Sequence, residues 1–409
     1  FESEYWTREK DTDLLPSSLI PERLTAEEAR EASRALKGSV LREEVYAADT
    51  EKSETLPYQI TQKNYGVKRL QEQGKNKHAV FLRYPSEELV FNLEREEEDP
   101  RKNHTLNLQV DDFGNLLKSV QVAYGRESID DSLRDRLEDQ NKQAQTKIVY
   151  SDNKFTEPIA KKEAYRVPLP CESSKYELHG MSEPEGSIYS IGEFRNQIFN
   201  EELKKLSYEE SPDGDDLQLR LVNRERTLYL RDDLSGPTDF GKSGIRGLAY
   251  KKYKLALTSG QIEQIYGEDD INVTNTMLEE TGYIQLNDEE KWGQAINKNW
   301  WIPTGQIFYA PNKNTDELEH ARDNFFQPQR KADPYENTTN FTYDQYNLFL
   351  TEVVDPLQNK TTVGERGSDS VAEYNYRILK PDLVTDPNGN RSAWEYDALG
   401  MVVASAVMG

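Results

Sequence analysis

The sequence has little cysteine, a deficit of positive charge and no long apolar run. Its single cysteine, Cys171, has no second thiol for an internal disulfide and cannot by itself make a zinc site. No stretch approaches the ~18 consecutive apolar residues that a membrane-spanning helix requires. The 74 Asp and Glu outnumber the 51 Lys and Arg, for a net charge of −23. Because such a chain repels phosphate backbones and anionic membrane surfaces, we expect no nucleic-acid partner. The lack of a long apolar run predicts no membrane span.

Aromatic residues are plentiful although the composition is polar. The mean hydropathy is −0.88, yet the chain carries 23 Tyr, 13 Phe and 5 Trp, and disordered chains are poor in aromatics. The 409 residues predict two or three structural units. We expect a helix with β-hairpins over 1–150, a β-rich segment with short helices over 151–330, and repeats over 331–409. Since the chain starts with Phe rather than Met and has no signal peptide, we expect it to be part of a longer polypeptide.

Local patterns predict a mainly β protein with a few inserted short helices. The clearest helix starts after Thr25, which forms a capping box with Glu28, and it ends before Gly38. Residues 105–124 alternate polar and apolar side chains around a turn at 111–115, which is typical of an antiparallel hairpin. Further helices are predicted at 193–206, 274–280 and 315–326.

The last eighty residues contain an internal repeat. An Asp-Pro-x-x-Asn turn leads into a strand that ends in Tyr-Asp, once from residue 333 and again from residue 386. A third such turn at 355–359 is followed by an interruption at 364–370. Asp-Pro fixes the turn, and Gly and Asn tolerate positive φ. The residues that define the repeat are predicted to be Asp333, Asn337, Tyr343, Asp344, Asp355, Asn359, Asp386, Gly389, Asn390, Trp394, Tyr396, Asp397 and Gly400.

These units resemble YD repeats, also called RHS repeats. The ending Asp397–Gly409 is similar to the B component of bacterial insecticidal toxin complexes (Tc toxins), as are the stretches Arg34–Tyr46, Asp112–Tyr124 and Trp300–Gly305. The resemblance implies antiparallel hairpins in a curved strip of β-sheet. That strip would follow a β-propeller and form part of a hollow shell, which with a C-type component encloses a toxic segment. It also implies a secreted complex in which this chain contacts the C-type RHS component and the rest of its own polypeptide.

No residue pattern predicts catalysis, and we expect neither a cofactor nor a metal. The four histidines are scattered, and surface or hairpin positions are expected for them. Cys171 has no basic neighbour in sequence that would stabilise a thiolate. Asp386, Asn388, Asn390 and Asp397 have EF-hand-like spacing, but Arg391 stands where that loop needs glycine, so a turn is predicted instead.

Two functions remain open, and a carboxylate hydrolase is a third with less support. The first is the non-enzymatic shell segment that the resemblance implies. The alternative is a cell-surface or secreted YD-repeat module that binds carbohydrate or a receptor through exposed Tyr and Trp. The apolar run Met401–Met408 is expected to form an open sheet edge that pairs with another copy or frays, and Val403→Lys is expected to reduce such self-association.

Overall fold

The structure is a computed structural model that describes residues 5–6, 14–49, 54–96, 98–128, 136–200, 203–214, 216–267, 273–286, 299–365 and 374–409. The chain divides into two compact units. Unit 1 comprises residues 1–155 and 170–225, and unit 2 comprises residues 156–169 and 226–409. The three-part division expected from the sequence stays a prediction.

Strands dominate the described residues, which confirms the predicted fold class. The helices are α1 (Ala26–Ala35), α2 (Leu137–Gln143), α3 (Ile191–Asn200), α4 (Ser259–Tyr266), α5 (Asn275–Glu280) and α6 (Glu317–Asp323). The strands are β1 (Arg42–Val45), β2 (Gln59–Gln71), β3 (Val80–Asn92), β4 (Arg101–Val110), β5 (Leu116–Ala123), β6 (Lys147–Phe155), β7 (Ile159–Lys161), β8 (Ala164–Arg166), β9 (Pro170–His179), β10 (Lys204–Leu206), β11 (Gln218–Tyr229), β12 (Ala249–Leu257), β13 (Ile284–Gln285), β14 (Trp300–Pro303), β15 (Gln306–Phe308), β16 (Arg330–Ala332), β17 (Thr338–Tyr343), β18 (Leu350–Val354), β19 (Lys360–Val363), β20 (Tyr374–Asn375), β21 (Lys380–Pro381), β22 (Leu383–Thr385), β23 (Arg391–Tyr396) and β24 (Val402–Met408).

Unit 1 is built on an antiparallel sheet with the strand order β1-β2-β3-β4-β5-β6-β9. The longest pairing joins β2 to β3, from Gln59 opposite Asn92 to Gln71 opposite Val80. The predicted hairpin is confirmed as β4 and β5, with Val110 opposite Leu116 at its turn. Alternate side chains of β4 are buried, as the pleat of a half-buried strand requires.

The helix predicted at the start of unit 1 is confirmed. The Thr25 side chain accepts a hydrogen bond from the Glu28 backbone N–H, and the Glu28 carboxylate accepts one from the Thr25 N–H. This capping box satisfies two donors that a helix start otherwise leaves unpaired. Glu28 is buried, and its carboxylate also accepts a hydrogen bond from Arg69. The cap therefore also fixes α1 to a residue of β2.

The helix predicted at 193–206 is wrong in its last residues. The helix ends at Asn200, and Lys204–Leu206 is strand β10, which pairs in parallel with Gln218–Arg220 of β11. Leu206 is buried in this arrangement. Strand pairing and burial thus outweigh the local helix preference of these residues.

His104 lies in the hairpin of β4 and β5, which is one of the two expected kinds of position, but it is fully buried rather than at the surface. Its Nε2 lies 3.3 Å from Glu87 Oε2, and its Nδ1 lies 3.2 Å from the Tyr124 hydroxyl oxygen. The Glu87 carboxylate also accepts a hydrogen bond from the Asn64 amide. Their proximity offsets part of the loss of water that burial costs these polar groups.

Unit 2 contains two small apolar clusters and an eight-stranded sheet. One cluster packs Leu228, Tyr253 and Leu286 around the fully buried Trp301. The sheet has the antiparallel order β15-β16-β17-β18-β19-β22-β23-β24. Among the described residues after Ala332, only Gly364, Leu383 and Thr385 are buried. This C-terminal sheet is therefore half-exposed along most of its length.

Candidate functional site

The three Asp-Pro-x-x-Asn turns have the same hydrogen bonds. In the turn from Asp386 to Asn390, Asp386 Oδ1 accepts from the backbone N–H groups of Asn388 and Asn390 at 2.9 and 2.8 Å. Asp386 Oδ2 accepts from the Asn390 amide at 2.8 Å. The turns 333–337 and 355–359 repeat all three bonds at 2.8–2.9 Å. Both carboxylate oxygens are thus committed to closing the turn.

The fourth residue of each turn has left-handed backbone geometry. Gly389 has a φ of +91°, whereas Glu336 and Gln358 occupy the equivalent positions at +66° and +67°. A residue with a Cβ atom is strained in this region, and glycine is not. The turn from Asp386 is therefore the relaxed form, and the other two turns carry strain that their hydrogen bonds offset.

The aspartate of each Tyr-Asp pair starts a second turn at the other end of its strand. Asp397 Oδ1 accepts from the N–H groups of Leu399 and Met401, and Gly400 has a φ of +80°. Asp344 Oδ1 accepts from Leu348 and Phe349 in a turn that is one residue longer. The Tyr-Asp pair alone gives no sequence signal for this second role of the aspartate as an acceptor. An aspartate turn therefore lies at each end of β17 and of β23.

The same turn also occurs in unit 1. Asp111 Oδ1 accepts from the N–H groups of Phe113 and Asn115, and Asp111 Oδ2 accepts from the Asn115 amide. This hairpin turn is predicted from the sequence, but its likeness to the C-terminal repeat becomes evident from these hydrogen bonds. The shared pattern Asp-x-x-Gly-Asn, also present at 386–390, was the signal that could have related the two.

The repeat tyrosines hold their strands through their hydroxyl groups. Tyr343 donates to the carbonyl oxygen of Pro328 at 2.9 Å, and Tyr396 donates to that of Pro381 at 3.0 Å. Both acceptors lie fifteen residues before the tyrosine. Matching backbone bonds run from Phe341 N–H to Gln329 O and from Trp394 N–H to Asp382 O. The two copies are thus offset by 53 residues and extend back to prolines that precede the predicted Asp-Pro-x-x-Asn turns.

Hydrogen bonding lowers the pKa of four aspartates in the C-terminal turns. The Asn390 side chain is the main cause for Asp386, and the Asn337 and Asn359 side chains are the main causes for Asp333 and Asp355. For Asp344, desolvation acts to raise the pKa, but the hydrogen bonds to the carboxylate outweigh it and lower the pKa. Donors that favour the charged form have this effect. These four aspartates are therefore ionised acceptors rather than candidate proton donors.

Aromatic rings cluster beside the Asp344 turn. Phe349 stacks on Tyr374 with ring centroids 4.6 Å apart, and Tyr346 meets Tyr376 edge-on at 5.9 Å. The Tyr376 hydroxyl donates to Asp344 Oδ2 at 2.8 Å, and this bond is the main cause that raises the tyrosine pKa to about 12. Trp394 is only half-exposed in its strand. These rings therefore pack around the Asp344 turn and hold it in place.

The described residues form no grouping that favours metal chemistry. Within the described ranges, no cluster of three or more His, Cys, Asp or Glu residues is arranged to hold an ion. The carboxylate oxygens of Asp386, the first position of the EF-hand-like spacing, are used by the turn. Cys171 is buried, as expected of a structural thiol. None of the helices in the described part of the chain is long and apolar enough to cross a membrane.

It stays a prediction that the thirteen named residues define a repeat. Most of them nevertheless have equivalent hydrogen-bond partners in the two copies. For the third turn, the predicted interruption at 364–370 lies mostly outside the described residues, which resume at Tyr374.

Comparison with known proteins addresses the family resemblance. Residues 31–168 match the family described as the insecticide toxin TcdB middle/C-terminal region. The crystal structure of TcdB2-TccC3 matches 100% of this chain and 19% of its own, at 20% identity and a TM-score of 0.65. The resemblance to the toxin-complex B component is confirmed. Among curated proteins, no sequence matches the chain significantly.

Two further solved structures have the same fold. TcdB2-TccC3-Cdc42 matches 100% of this chain and 18% of its own, at 20% identity and a TM-score of 0.65. The Tc holotoxin pore of Photorhabdus luminescens matches 99% of this chain and 18% of its own, at 20% identity and a TM-score of 0.63. The chain thus spans about a fifth of the length of the solved chains that it matches.

Proposed function

We propose that this chain is a non-enzymatic structural segment of a B-type toxin-complex component. In this role it forms part of a hollow β-shell that encloses a toxic cargo, and its partners are a C-type RHS component and the rest of its own polypeptide. The complex is secreted. The single observation that best supports this proposal is the half-exposed C-terminal sheet, whose strands are joined by repeated aspartate turns.

A sheet with so few buried residues needs further protein to cover it. Each hairpin of the repeat contributes few buried side chains, and repeat units gain stability by packing against more of the same. The fold also resembles a solved component that was crystallised together with TccC3. Both observations favour a segment of a larger sheet over an independent binding module.

The polar groups of the repeat also support a structural role. The carboxylates that recur in it are committed as hydrogen-bond acceptors within turns, and the recurring tyrosine hydroxyls donate to backbone carbonyls. A general acid or base needs a carboxylate that is free to exchange a proton with a substrate. The repeat is therefore suited to holding strands.

Co-purification with a C-type component tests this proposal. The tagged chain and a C-type component are co-expressed, and the bound fraction is measured after affinity capture. We expect stoichiometric capture by the wild-type chain and loss of capture when Asp355 and Asp386 are both replaced by Ala. Tyr335→Phe, at an exposed position of the 333–337 turn, is the matched control and keeps full capture. Failure of the folded wild-type chain to capture any C-type component would contradict the proposal.

A glycan-binding screen separates this proposal from the carbohydrate- or receptor-binding alternative. The feature that favours the alternative is Tyr335, which is 72% exposed at a turn. Specific binding that is lost in Tyr335→Ala or Trp394→Ala would support a binding module, because a stacking platform requires an accessible ring. The shell proposal predicts no specific glycan binding by the wild-type chain.

A further inference from the structure

One end of the C-terminal sheet carries three neighbouring segments, which are 344–349, 374–381 and 397–401. The first and the last are the turns that join β17 to β18 and β23 to β24, and the middle segment lies on the connection from β19 to β22. The Tyr376 hydroxyl donates to Asp344 Oδ2 at 2.8 Å, and the Arg377 guanidinium donates to the Asp397 carbonyl oxygen at 3.1 Å. The middle segment thus bonds to both turns. We call the three segments the apolar rim.

The apolar rim exposes six large apolar side chains, each accessible over 44–82% of its surface. They are Tyr346, Leu348, Tyr376, Leu379, Leu399 and Met401. The Tyr346 and Tyr376 rings meet edge-on with their centroids 5.9 Å apart. Ile378 packs so closely on Gly400 that an added Cβ atom there would lie 3.0 Å from the Ile378 side chain. Both contacts join different segments, so the six side chains form one surface, and a contiguous apolar surface of this kind marks an interaction site.

The backbone of Leu379 gives a second reason to assign a role to this surface. Its φ of +58° lies in the left-handed region, which a residue with a Cβ atom rarely adopts, and its side chain is 63% exposed. Glycine and asparagine tolerate this region best. A large exposed leucine at such a position does not serve the stability of the fold, and this favours a role in binding.

Charge and composition indicate the kind of partner. The exposed charged residues of the apolar rim are Arg377 and Lys380. Asp344 and Asp397 are half-buried, and their carboxylates accept hydrogen bonds within their own turns. Accessible cations beside apolar side chains favour an acidic partner, and Tyr, Met and Arg are the residue types enriched at contacts between protein chains. The apolar rim therefore fits an acidic protein surface that also carries apolar side chains.

We propose that the apolar rim binds an acidic segment of the C-type RHS component. This inference rests on the proposed function, which makes the C-type component a partner but leaves the contact surface open. Leu379 and Leu399 then enter apolar sites on the partner, and the cations of the rim pair with its carboxylates. Strand β24 runs away from this end of the sheet, so further strands beside β24 would extend the sheet sideways rather than cover the rim.

Equilibrium binding of a C-type component to a B-type component that contains this chain tests the proposal. Leu399→Ser and Leu379→Asn each remove one exposed apolar side chain, and we expect either change to weaken binding about tenfold or more. Leu357→Ser is the matched control and should bind like wild type. Leu357 and Leu399 are both 82% exposed at the third position of an aspartate turn, but Leu357 lies at the opposite end of the sheet. Leu379→Asn should keep or raise the melting temperature, because Asn suits the left-handed backbone, and this separates lost binding from lost folding.

Equal binding by wild type, Leu399→Ser and Leu379→Asn would overturn the apolar rim as the interface and leave the proposed function intact. An equal loss in Leu357→Ser would do the same. A wild-type B-type component that binds no C-type component would overturn both. Binding should also weaken as salt is raised, because salt screens exposed charges, and binding that does not depend on salt would contradict an acidic partner.

Thiol labelling of Leu399→Cys tests whether the rest of the polypeptide covers the apolar rim. The wild-type B-type component is the control for all other thiols, including the buried Cys171. We expect rapid labelling in the B-type component alone and protection in its complex with the C-type component. Protection in the B-type component alone would show that its own chain covers the rim, and this result would overturn the proposal.

Discussion

Removing the hydroxyl groups of Tyr343 and Tyr396 is expected to destabilise unit 2 equally and additively. Each hydroxyl donates one hydrogen bond to a proline carbonyl, at 2.9 Å for Tyr343 and 3.0 Å for Tyr396. A hydrogen bond of this kind contributes about 1 kcal/mol net. Tyr343→Phe and Tyr396→Phe keep the ring, so each variant should lose about that amount of unfolding free energy. For a unit of about 200 residues this corresponds to roughly 2–4 °C in melting temperature.

The distance between the two tyrosines determines the stability loss that we expect for the double variant. Tyr343 lies on β17 and Tyr396 on β23, which is four strand positions away in the sheet. At ~4.8 Å per strand the two sites are about 19 Å apart, and the effects of such distant changes add within ~0.5 kcal/mol. The double variant should therefore lose about 2 kcal/mol, measured by urea unfolding. Tyr335→Phe, at an exposed position, is the control and should change stability by less than ~0.5 kcal/mol. A loss in only one single variant would refute the equivalence of the two copies.

Three further predictions concern the aspartate turns. Gln358→Gly should raise the free energy of unfolding by roughly 0.5–1 kcal/mol, because relief of about 1–2 kcal/mol of left-handed strain at +67° exceeds the entropic cost of glycine; unchanged or lower stability in urea would contradict this. The Asn390 side chain lowers the pKa of Asp386 in the folded state below the ordinary value of 3.8. The ionised Asp386 carboxylate therefore contributes its full stabilisation to the folded state above pH 3.8, and this contribution is lost as the pH falls through the lower folded-state pKa. The gap in urea midpoint between wild type and Asp386→Asn should therefore narrow below about pH 4, whereas a constant gap would contradict the assignment. Millimolar calcium should leave the melting temperature unchanged, since a folded-state ligand at 100 times its Kd would add ~2.7 kcal/mol; a clear rise would show that a site at Asp386 competes with the turn.

Structure encoded by neighbouring residues could be predicted from the sequence. The capping box of α1 joins Thr25 to a residue three positions away, and each Asp-Pro-x-x-Asn turn joins residues four positions apart. Such signals depend only on the local chain, so the helix, the hairpins and the fold class followed from them. The family resemblance added what no local pattern contains, namely that successive hairpins join edge to edge into larger antiparallel sheets.

Features that depend on distant partners could not be predicted. The Tyr396 hydroxyl finds its acceptor fifteen residues back, on a carbonyl that carries no sequence signature. His104 is buried because Glu87 and Tyr124 from flanking segments supply its polar contacts. Lys204–Leu206 continues a plausible helix in sequence but is drawn into a parallel pairing with residues fourteen positions ahead. In each case tertiary contacts outweigh the local preference.

Protease protection of the cargo is the measurement that tests the shell account most directly. A B-type component that contains this chain is assembled with a C-type component, and cleavage of the toxic segment is followed over time. The account predicts that the segment resists protease in the wild-type assembly and becomes sensitive when Asp355 and Asp386 are replaced by Ala, because both turns join strands of the enclosing sheet. A segment cleaved at the same rate in the assembled and the isolated C-type component would contradict it.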